Sequence, residues 1–184
     1  MTAIFGHDTE MALNAAAALV NTVRDGEQLA DIAALDAFLD AWRFTGDRRR
    51  DTAELHAVQR LRPQLRRLWE SGEDEVVDLV NAMLREADAL PQLVRHDGWG
   101  YHLHATPPDA PLSTRMAVEA AMAFVDLVRV GELSRLRICT YRNCGNVVVD
   151  LTKNRSKRFC DNGCGNRAAV AAYRARKAAD CRAS

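Results

Sequence analysis

Cys139-Thr-Tyr-Arg-Asn-Cys144 and Cys160-Asp-Asn-Gly-Cys164 are the two stretches of sequence that decide how the C-terminal part of this chain folds. Zinc prefers four ligands in a tetrahedron, and two short cysteine knuckles joined by a hairpin-length spacer bring four sulfurs to one point without a large core. The segment has too few large apolar residues to fold alone, so the metal must supply most of its stability. The sequence predicts one structural Zn²⁺, held by Cys139, Cys144, Cys160 and Cys164.

The cysteines favour a metal site over disulfides. All five cysteines of the chain lie after position 138, and in a reducing cytosol such clusters indicate metal ligands before disulfides. No histidine follows His104, so a local site is all cysteine, and such a site leaves no open position for catalysis. Four unmetallated cysteines filling a small apolar core are the alternative. Cys181 lies beyond the predicted basic helix, which argues against ligation, and we expect it to be a free surface thiol.

The spacer between the knuckles has the composition of a β-hairpin. Val147-Val148-Val149 favours one strand, Lys153-Asn154-Arg155 a turn, and Lys157-Arg158-Phe159 the returning strand. The sequence therefore predicts a zinc ribbon between Cys144 and Cys160.

A basic helix is predicted to follow the second knuckle, because alanine is dense from Ala168 onward. Arg167, Arg174 and Lys177 fall close to one face, and we expect Val170 and Tyr173 to pack back on the ribbon. Such a helix suits the phosphates or major groove of a nucleic acid; a solvated basic face or a protein-docking surface is the alternative. The candidate nucleic-acid-binding residues are Arg155, Lys157, Arg158, Arg167, Arg174, Arg176 and Lys177.

Charge is divided along the chain, although the total is zero. Residues 135–184 contain twelve lysines and arginines against three aspartates, a net charge of +9, so residues 1–134 carry −9. This division indicates an anionic partner for the tail, with nucleic acid the commonest candidate. Its alternatives are improved solubility and docking of the tail on the chain's own acidic part.

The residues before the cysteines predict a helical domain with one short hairpin. Apolar positions recur at helical spacing in five segments, with Asp8 or Thr9 capping the first and an Asp51 and Glu54 capping box opening the third. Pro63 should kink or divide the third helix. The five helices are expected from Asp8 or Thr9 to Gly26, at about 31–44, from Asp51, at about 74–89 and at about 113–130.

The hairpin is predicted between the fourth and fifth helices, turning at Asp97-Gly98. His102 and His104 alternate on its second strand and point to one face. A metal site shared with His96 is an alternative that no carboxylate pattern accompanies. Trp42, Trp69 and Trp99 are expected in the core rather than in a ligand cage.

The fold class expected from these patterns is mainly α with a small β-hairpin. It combines a helical N-terminal domain, residues 1–131, with a C-terminal four-cysteine zinc ribbon and basic helix, residues 135–179. No apolar stretch approaches the roughly 20 residues that cross a bilayer, and the N-terminus lacks the features of a signal peptide. We therefore expect a cytoplasmic protein with no membrane partner.

The chain resembles the CGNR zinc-finger family of bacterial proteins, whose name is spelled by Cys164-Gly165-Asn166-Arg167. The likeness also rests on the paired cysteines, Asp150 after an apolar strand, the run Arg155-Ser156-Lys157-Arg158 and the Tyr-Arg-Ala-Arg ending at Arg176. Such proteins usually carry an N-terminal ABATE domain, and Val20-Asn21-Thr22 matches its Val-Asn-Thr signature. The chain departs from many relatives in a last knuckle one residue shorter and in valines where aromatics are common.

The resemblance implies a stress-induced transcriptional regulator whose finger binds DNA. The acidic domain would then sense a small-molecule effector or form a homodimer. Asn21 and Thr22 either line a ligand pocket or cap the end of their helix, and capping is the favoured interpretation. The alternative function is a zinc-ribbon adaptor for protein or RNA. We find no phosphate loop, nucleophile elbow or His-Glu zincin motif, so we do not expect an enzyme.

Overall fold

The computed structural model describes residues 5–24, 26–95 and 100–183 and divides the chain into two compact units, Met1–Ser134 and Arg135–Ser184. The first unit contains α1 (His7–Asn21), α2 (Ile32–Ala41), α3 (Thr52–Glu70), α4 (Glu73–Glu86), β1 (Gln92–Val94), β2 (His102–His104) and α5 (Leu112–Arg129). A 3₁₀ turn at Leu133–Arg135 leads to β3 (Leu136–Ile138), β4 (Val147–Val149) and α6 (Cys164–Ala183). The predicted fold class is confirmed.

The start of α3 follows the predicted capping box. The Asp51 carboxylate accepts a hydrogen bond of 2.8 Å from the Glu54 amide. The Glu54 carboxylate in turn accepts from the amides of Arg49 and Arg50, each at 3.1 Å. Asp51 thus caps an amide of the first turn, as predicted, whereas Glu54 accepts from the two amides that precede the N-cap, outside the helix. Pro63 lies inside one continuous helix, so the predicted division of α3 is wrong.

The ends of α1 and α2 differ from the prediction. α1 begins at His7 after Gly6, which makes no side-chain cap, so neither Asp8 nor Thr9 caps it, and it ends at Asn21, well before Gly26. α2 ends at Ala41 because Arg43 adopts a left-handed φ of 55° and the Phe44 amide bonds back to the Leu39 carbonyl at 3.0 Å. Arg43 thus takes the left-handed position after a helix that glycine usually occupies.

The core of the first unit lies where α1, α3 and α4 pack against α5. Phe124 on α5 is fully buried and meets Trp69 edge to face, with 5.2 Å between ring centroids. Trp69 is therefore a core residue, as predicted, and Trp99 lies outside the described residues. Further fully or almost fully buried side chains are Leu13, Leu19, Leu35, Val58, Leu65, Leu68, Val76, Val118 and Leu127.

β1 and β2 form the predicted antiparallel hairpin, with Leu93 paired to Leu103. The predicted Asp97-Gly98 turn and His96 lie outside the described residues. Over the described ranges, no helix is long and apolar enough to cross a membrane.

The second unit contains a different strand pairing from the predicted ribbon. β4 pairs antiparallel with β3, which precedes the first knuckle, and Lys157–Phe159 forms no strand. The pairing is extended by hydrogen bonds from the Asp150 amide to the Arg135 carbonyl at 2.9 Å and from the Cys139 amide to the Asn146 carbonyl at 2.8 Å. The prediction of a returning strand is wrong, because residues 150–159 form a loop that is held by hydrogen bonds to the Asp150 carboxylate.

Candidate metal centre and basic helix

The four predicted ligands come together in the second unit. The sulfurs of Cys139, Cys144, Cys160 and Cys164 all lie within 4.8 Å of one another. Three of the sulfur–sulfur distances are 3.5 to 3.6 Å. A tetrahedral zinc with Zn–S bonds of about 2.3 Å needs about 3.8 Å between sulfurs, so small side-chain adjustments suffice to bind the ion.

Tight turns in both knuckles aim the thiols inward. Asn143 and Gly145 have φ values of 61° and 66° in the first knuckle, and Gly163 has a φ of 74° in the second. Left-handed backbone of this kind suits glycine and asparagine and lets a short segment reverse between two cysteines. The Thr140 amide donates to the Arg158 carbonyl at 2.9 Å, which ties one knuckle to the chain entering the other.

All four sulfurs receive hydrogen bonds from groups around the site, and the donor to Cys144 is the Asn146 backbone amide. The Cys160 amide donates to the sulfur of Cys139 at 3.4 Å, and the buried Asn146 side-chain amide donates to Cys160 at 3.4 Å. Arg167 donates to Cys164 at 2.9 Å. Groups that contact metal ligands in this way orient those ligands around the ion.

The protonation of the buried thiols depends on whether a metal ion is bound. Burial raises the pKa of the Cys144 thiol to about 12, and hydrogen bonds among the thiols contribute further. A bound dication reverses that preference and deprotonates coordinating thiols. Four thiolates around one dication carry a net charge of −2, which both the Arg167 guanidinium and the positive N-terminal end of α6, where Cys164 lies, help to offset.

Asp150 organises the loop that replaces the predicted returning strand. Its fully buried carboxylate accepts hydrogen bonds from the Thr152 hydroxyl at 2.5 Å, the Thr152 amide at 3.0 Å and the Lys157 amide at 2.9 Å. Burial works to raise the pKa of Asp150, but these bonds and the Arg137 charge at 3.6 Å hold it below its usual value. The loop therefore closes on a carboxylate instead of a strand partner.

Arg167 lies against the metal centre. Besides its bond to Cys164, its guanidinium lies over the Tyr141 ring, 5.4 Å from the centroid. The sequence placed this residue with Arg174 and Lys177 on a nucleic-acid-binding face. That role stays a prediction, and the contacts observed for Arg167 connect the second knuckle to the first through one cation–π contact and one charge-assisted hydrogen bond.

The other predicted cationic residues are exposed, apart from the partly buried Lys157, which pairs with Asp161 at 3.0 Å. Arg158 lies over the Phe159 ring at 5.7 Å. At 100° per residue, Arg176 is half a turn away from the Arg167 side of α6, whereas Arg174 and Lys177 stay near it. Those found exposed are Arg155, Arg158, Arg167, Arg174, Arg176 and Lys177.

The apolar residues of α6 do not pack as predicted. Val170 is 48% exposed and Tyr173 is 58% exposed, so the expectation that they cover the ribbon is wrong. From Ala169 to Cys181 every residue of the helix is exposed. The contacts that hold α6 to the metal centre lie in its first turn, at Cys164 and Arg167. Cys181 is exposed and unpaired with another cysteine, as predicted, but it lies inside α6 and not beyond it, because the helix continues to Ala183.

The candidate residues of the first unit do not form one site. Thr22 is buried and its hydroxyl donates to the Leu19 carbonyl at 2.7 Å, which fits the capping interpretation for the end of α1. Neither Asn21 nor Thr22 lines the cavity that is bounded by α1, α5, β2 and the segment after α2. Trp42, expected in the core, is half-buried and lines this cavity. His102 and His104 lie 3.2 Å apart at their Nε2 atoms, without a third described ligand that could complete a metal site.

Sequence reasoning missed Asn146 and Tyr141 as parts of the metal centre. Asn146 is 1% exposed and follows Gly145 directly before an apolar strand, a position where a buried amide needs a partner. That placement was the available signal for Asn146. Tyr141 gave none, because its contact with Arg167 joins residues 26 positions apart.

Two family models match this chain. The ABATE model, described as "Putative stress-induced transcription regulator", matches residues 13–131, and the CGNR zinc-finger model matches residues 135–177. No curated protein matches the chain. The resemblance seen in the sequence is thereby confirmed, and both models describe regulatory or zinc-finger types rather than enzymes. The zinc-finger match and the cysteine geometry together support one structural zinc.

Proposed function

Because this chain belongs to the ABATE family and carries a CGNR zinc finger, we propose that it is a stress-responsive bacterial transcription regulator whose finger binds duplex DNA. Zinc holds the ribbon, and the ribbon fixes the direction of α6. The N-terminal unit senses a small molecule or forms a homodimer, and the protein acts in the cytoplasm, where thiolates stay reduced.

The observation that carries the proposal is the exposed, cationic length of α6 beyond its zinc-anchored first turn. Arg174, Arg176 and Lys177 are exposed there, on a helix that spans about 30 Å at 1.5 Å per residue. Cations spaced along a projecting helix can neutralise several phosphates, and the resulting release of counterions dominates affinity for DNA. Arg155 and Arg158 on the loop before the second knuckle widen the same charged surface.

The adaptor function is the second candidate. RNA-binding surfaces favour exposed aromatic rings on which bases stack. Tyr141 lies under Arg167, and Phe159 is half-buried on the cysteine cluster, so Tyr173 is the aromatic residue that α6 exposes. A single exposed ring beside several cations favours DNA over RNA.

The decisive experiment is selection of random duplex DNA by the zinc-loaded full-length protein. An enriched motif supports a regulator that reads sequence. Binding that is sensitive to salt but enriches no motif would reduce the proposal to a nonspecific cationic surface. No binding to DNA would favour the adaptor.

The salt dependence of DNA affinity tests which residues contact phosphates. Arg174 and Lys177 changed together to Ala should reduce the slope of log K against log salt by about 2, since each lost phosphate contact changes it by about 0.9. The matched control removes two exposed arginines of the first unit, Arg85 and Arg129. An unchanged slope in the α6 variant would show that DNA contacts another surface.

A further inference from the structure

The first unit contains a cavity of about 380 Å³, bounded by α1, α5, β2 and the segment after α2. Cavities of about 300 to 1,000 Å³ are typical of small-molecule sites. Where α1 and α5 line it, both helices present small residues, Ala12 and Ala15 on one and Ala123 on the other. Alanines at these positions leave room that larger side chains would fill.

The wall of the cavity combines apolar surface with an excess of carboxylates. Trp42, Phe44 and Met122 provide large apolar side chains. The charged lining residues are Asp8, Asp40, Glu119 and Asp126 against Arg43. With neutral histidines the wall therefore has three more negative than positive side chains.

Two of the carboxylates are placed on one face of α5. Glu119 and Asp126 are seven residues apart, about 10 Å along the helix axis, and both are half-buried. Asp126 accepts a hydrogen bond of 2.7 Å from the buried Thr9 hydroxyl, which fixes one of its oxygens. Partly buried carboxylates attract a cation more strongly than exposed ones, because solvent screens them less.

The histidine pair belongs to the same wall. His102 lies with Nδ1 3.0 Å from the Gly100 carbonyl, which can only accept, so Nδ1 carries the proton. When both rings are neutral, His102 Nε2 must then accept from His104 Nε2, 3.2 Å away. The pair therefore forms one hydrogen-bonded unit on this side of the cavity.

From these features we propose that the cavity binds a small organic cation, an ammonium group attached to an apolar or aromatic body. The carboxylates attract the ammonium, and the aromatic and methionine side chains cover the apolar body. This inference deepens the sensing role proposed above by naming its ligand class. Its test is direct binding without DNA, so a failure of DNA binding leaves it standing.

The test titrates phenethylammonium into the zinc-loaded full-length protein by calorimetry. One site per chain is expected, and the neutral 2-phenylethanol and anionic phenylacetate should bind at least about tenfold more weakly, a difference of about 1.4 kcal/mol. Glu119→Gln should weaken ammonium binding by about fivefold or more, and Asp126→Asn should act in the same direction while keeping an acceptor for Thr9. Asp78→Asn, an exposed change on α4 outside the cavity, is the matched control and should change nothing.

Three results would overturn the assignment. They are equal affinity for the alcohol and the ammonium, an equal loss of ammonium affinity in Asp78→Asn and Glu119→Gln, and an absence of saturable ammonium binding. Circular dichroism checks that each variant is folded. Should Asp126→Asn fail to fold, Glu119→Gln decides alone.

Discussion

The two units of this chain are stabilised in different ways. In the first, buried side chains from helices far apart in sequence, such as Leu13, Val58 and Phe124, form the core. In the second, the buried side chains are chiefly the strand valines and the cysteines around the metal centre. A domain of this second size rarely buries enough apolar surface to be stable without a staple. One chain therefore contains a unit that depends on packing and a unit that depends on a metal.

The two units also carry opposite net charges. The first carries −9 and the second +9 with neutral cysteines, so four thiolates and one dication reduce the second to +7. Even when loaded with zinc, the finger remains strongly cationic. The metal centre therefore stabilises the fold of the finger without removing the charge that its proposed function needs.

Zinc removal should have the largest effect. It should unfold the second unit and leave the stability of the first unit unchanged. Cys164→Ser removes a fully buried ligand that also begins α6, so we expect loss of stoichiometric zinc and of the α6 helix. Structural zinc contributes about 10–16 kcal/mol in small fingers. All three tryptophans lie before residue 100, so tryptophan fluorescence during urea unfolding reports the first unit alone. That transition should not change.

The control is Cys181→Ser, which alters an exposed thiol outside the cluster. It should keep one zinc per chain. A shift of the tryptophan transition in Cys164→Ser would show that the first unit also depends on the metal.

The converse change is in the core of the first unit. Phe124→Ala removes a fully buried ring and its edge contact with Trp69, which should cost about 3–5 kcal/mol of unfolding free energy. Zinc content should stay at one per chain, as measured by a chromophoric chelator. Val130→Ala, at a position 52% exposed, is the matched control. Loss of zinc in Phe124→Ala would contradict the separation of the units.

Local chemistry explains which parts of the fold were predictable. The Asp51 and Glu54 box acts over three residues, and the cysteine knuckles act over four and five, so a short window contains the whole signal. Strand pairing in the finger has no such signal. Composition does not distinguish Lys157–Phe159 from Leu136–Ile138 as a partner for β4, and in the structure Lys157 is held by its hydrogen bond to Asp150 while Leu136–Ile138 pairs with β4.

The surroundings of the sites were less predictable than their ligands. Helical spacing places Arg167 on the same side as Arg174, but periodicity does not reveal that Tyr141 and the Cys164 sulfur lie within reach of its guanidinium. The cavity had no sequence signal, because alanines on α1 and α5 favour a helix whether they leave a space or pack closely. Such features depend on contacts between distant segments.

Arg167 offers a smaller and sharper test of what the metal centre requires. Arg167→Ala removes the hydrogen bond to Cys164 and the contact with Tyr141, so zinc affinity should fall by about 10–100-fold, as for other groups that contact metal ligands. Arg174→Ala removes an equal charge from the exposed part of α6 and should keep full zinc affinity. Competition with a chromophoric chelator measures both.

Equal zinc affinities for the two variants would assign Arg167 to the outer surface rather than to the metal centre. Arg167→Lys refines the result. Lysine keeps the charge but lacks the planar guanidinium that stacks on a ring and donates sideways, so recovery should be partial.

The smallest expected effect is at Gly165, next to the buried ligand. A Cβ there would meet the Phe159 ring at 3.6 Å, an ordinary contact, and the residue needs no left-handed backbone. Since alanine favours a helix over glycine by up to about 1 kcal/mol, Gly165→Ala should leave zinc affinity unchanged and slightly stabilise α6. Chelator competition and circular dichroism measure the two quantities. Weaker zinc binding would mean that close side-chain packing around Gly165 also determines the stability of the finger, as packing does in the first unit. Weaker DNA binding with intact zinc and helix would instead indicate close approach of a partner to this backbone, since neither the metal nor the fold then accounts for the glycine.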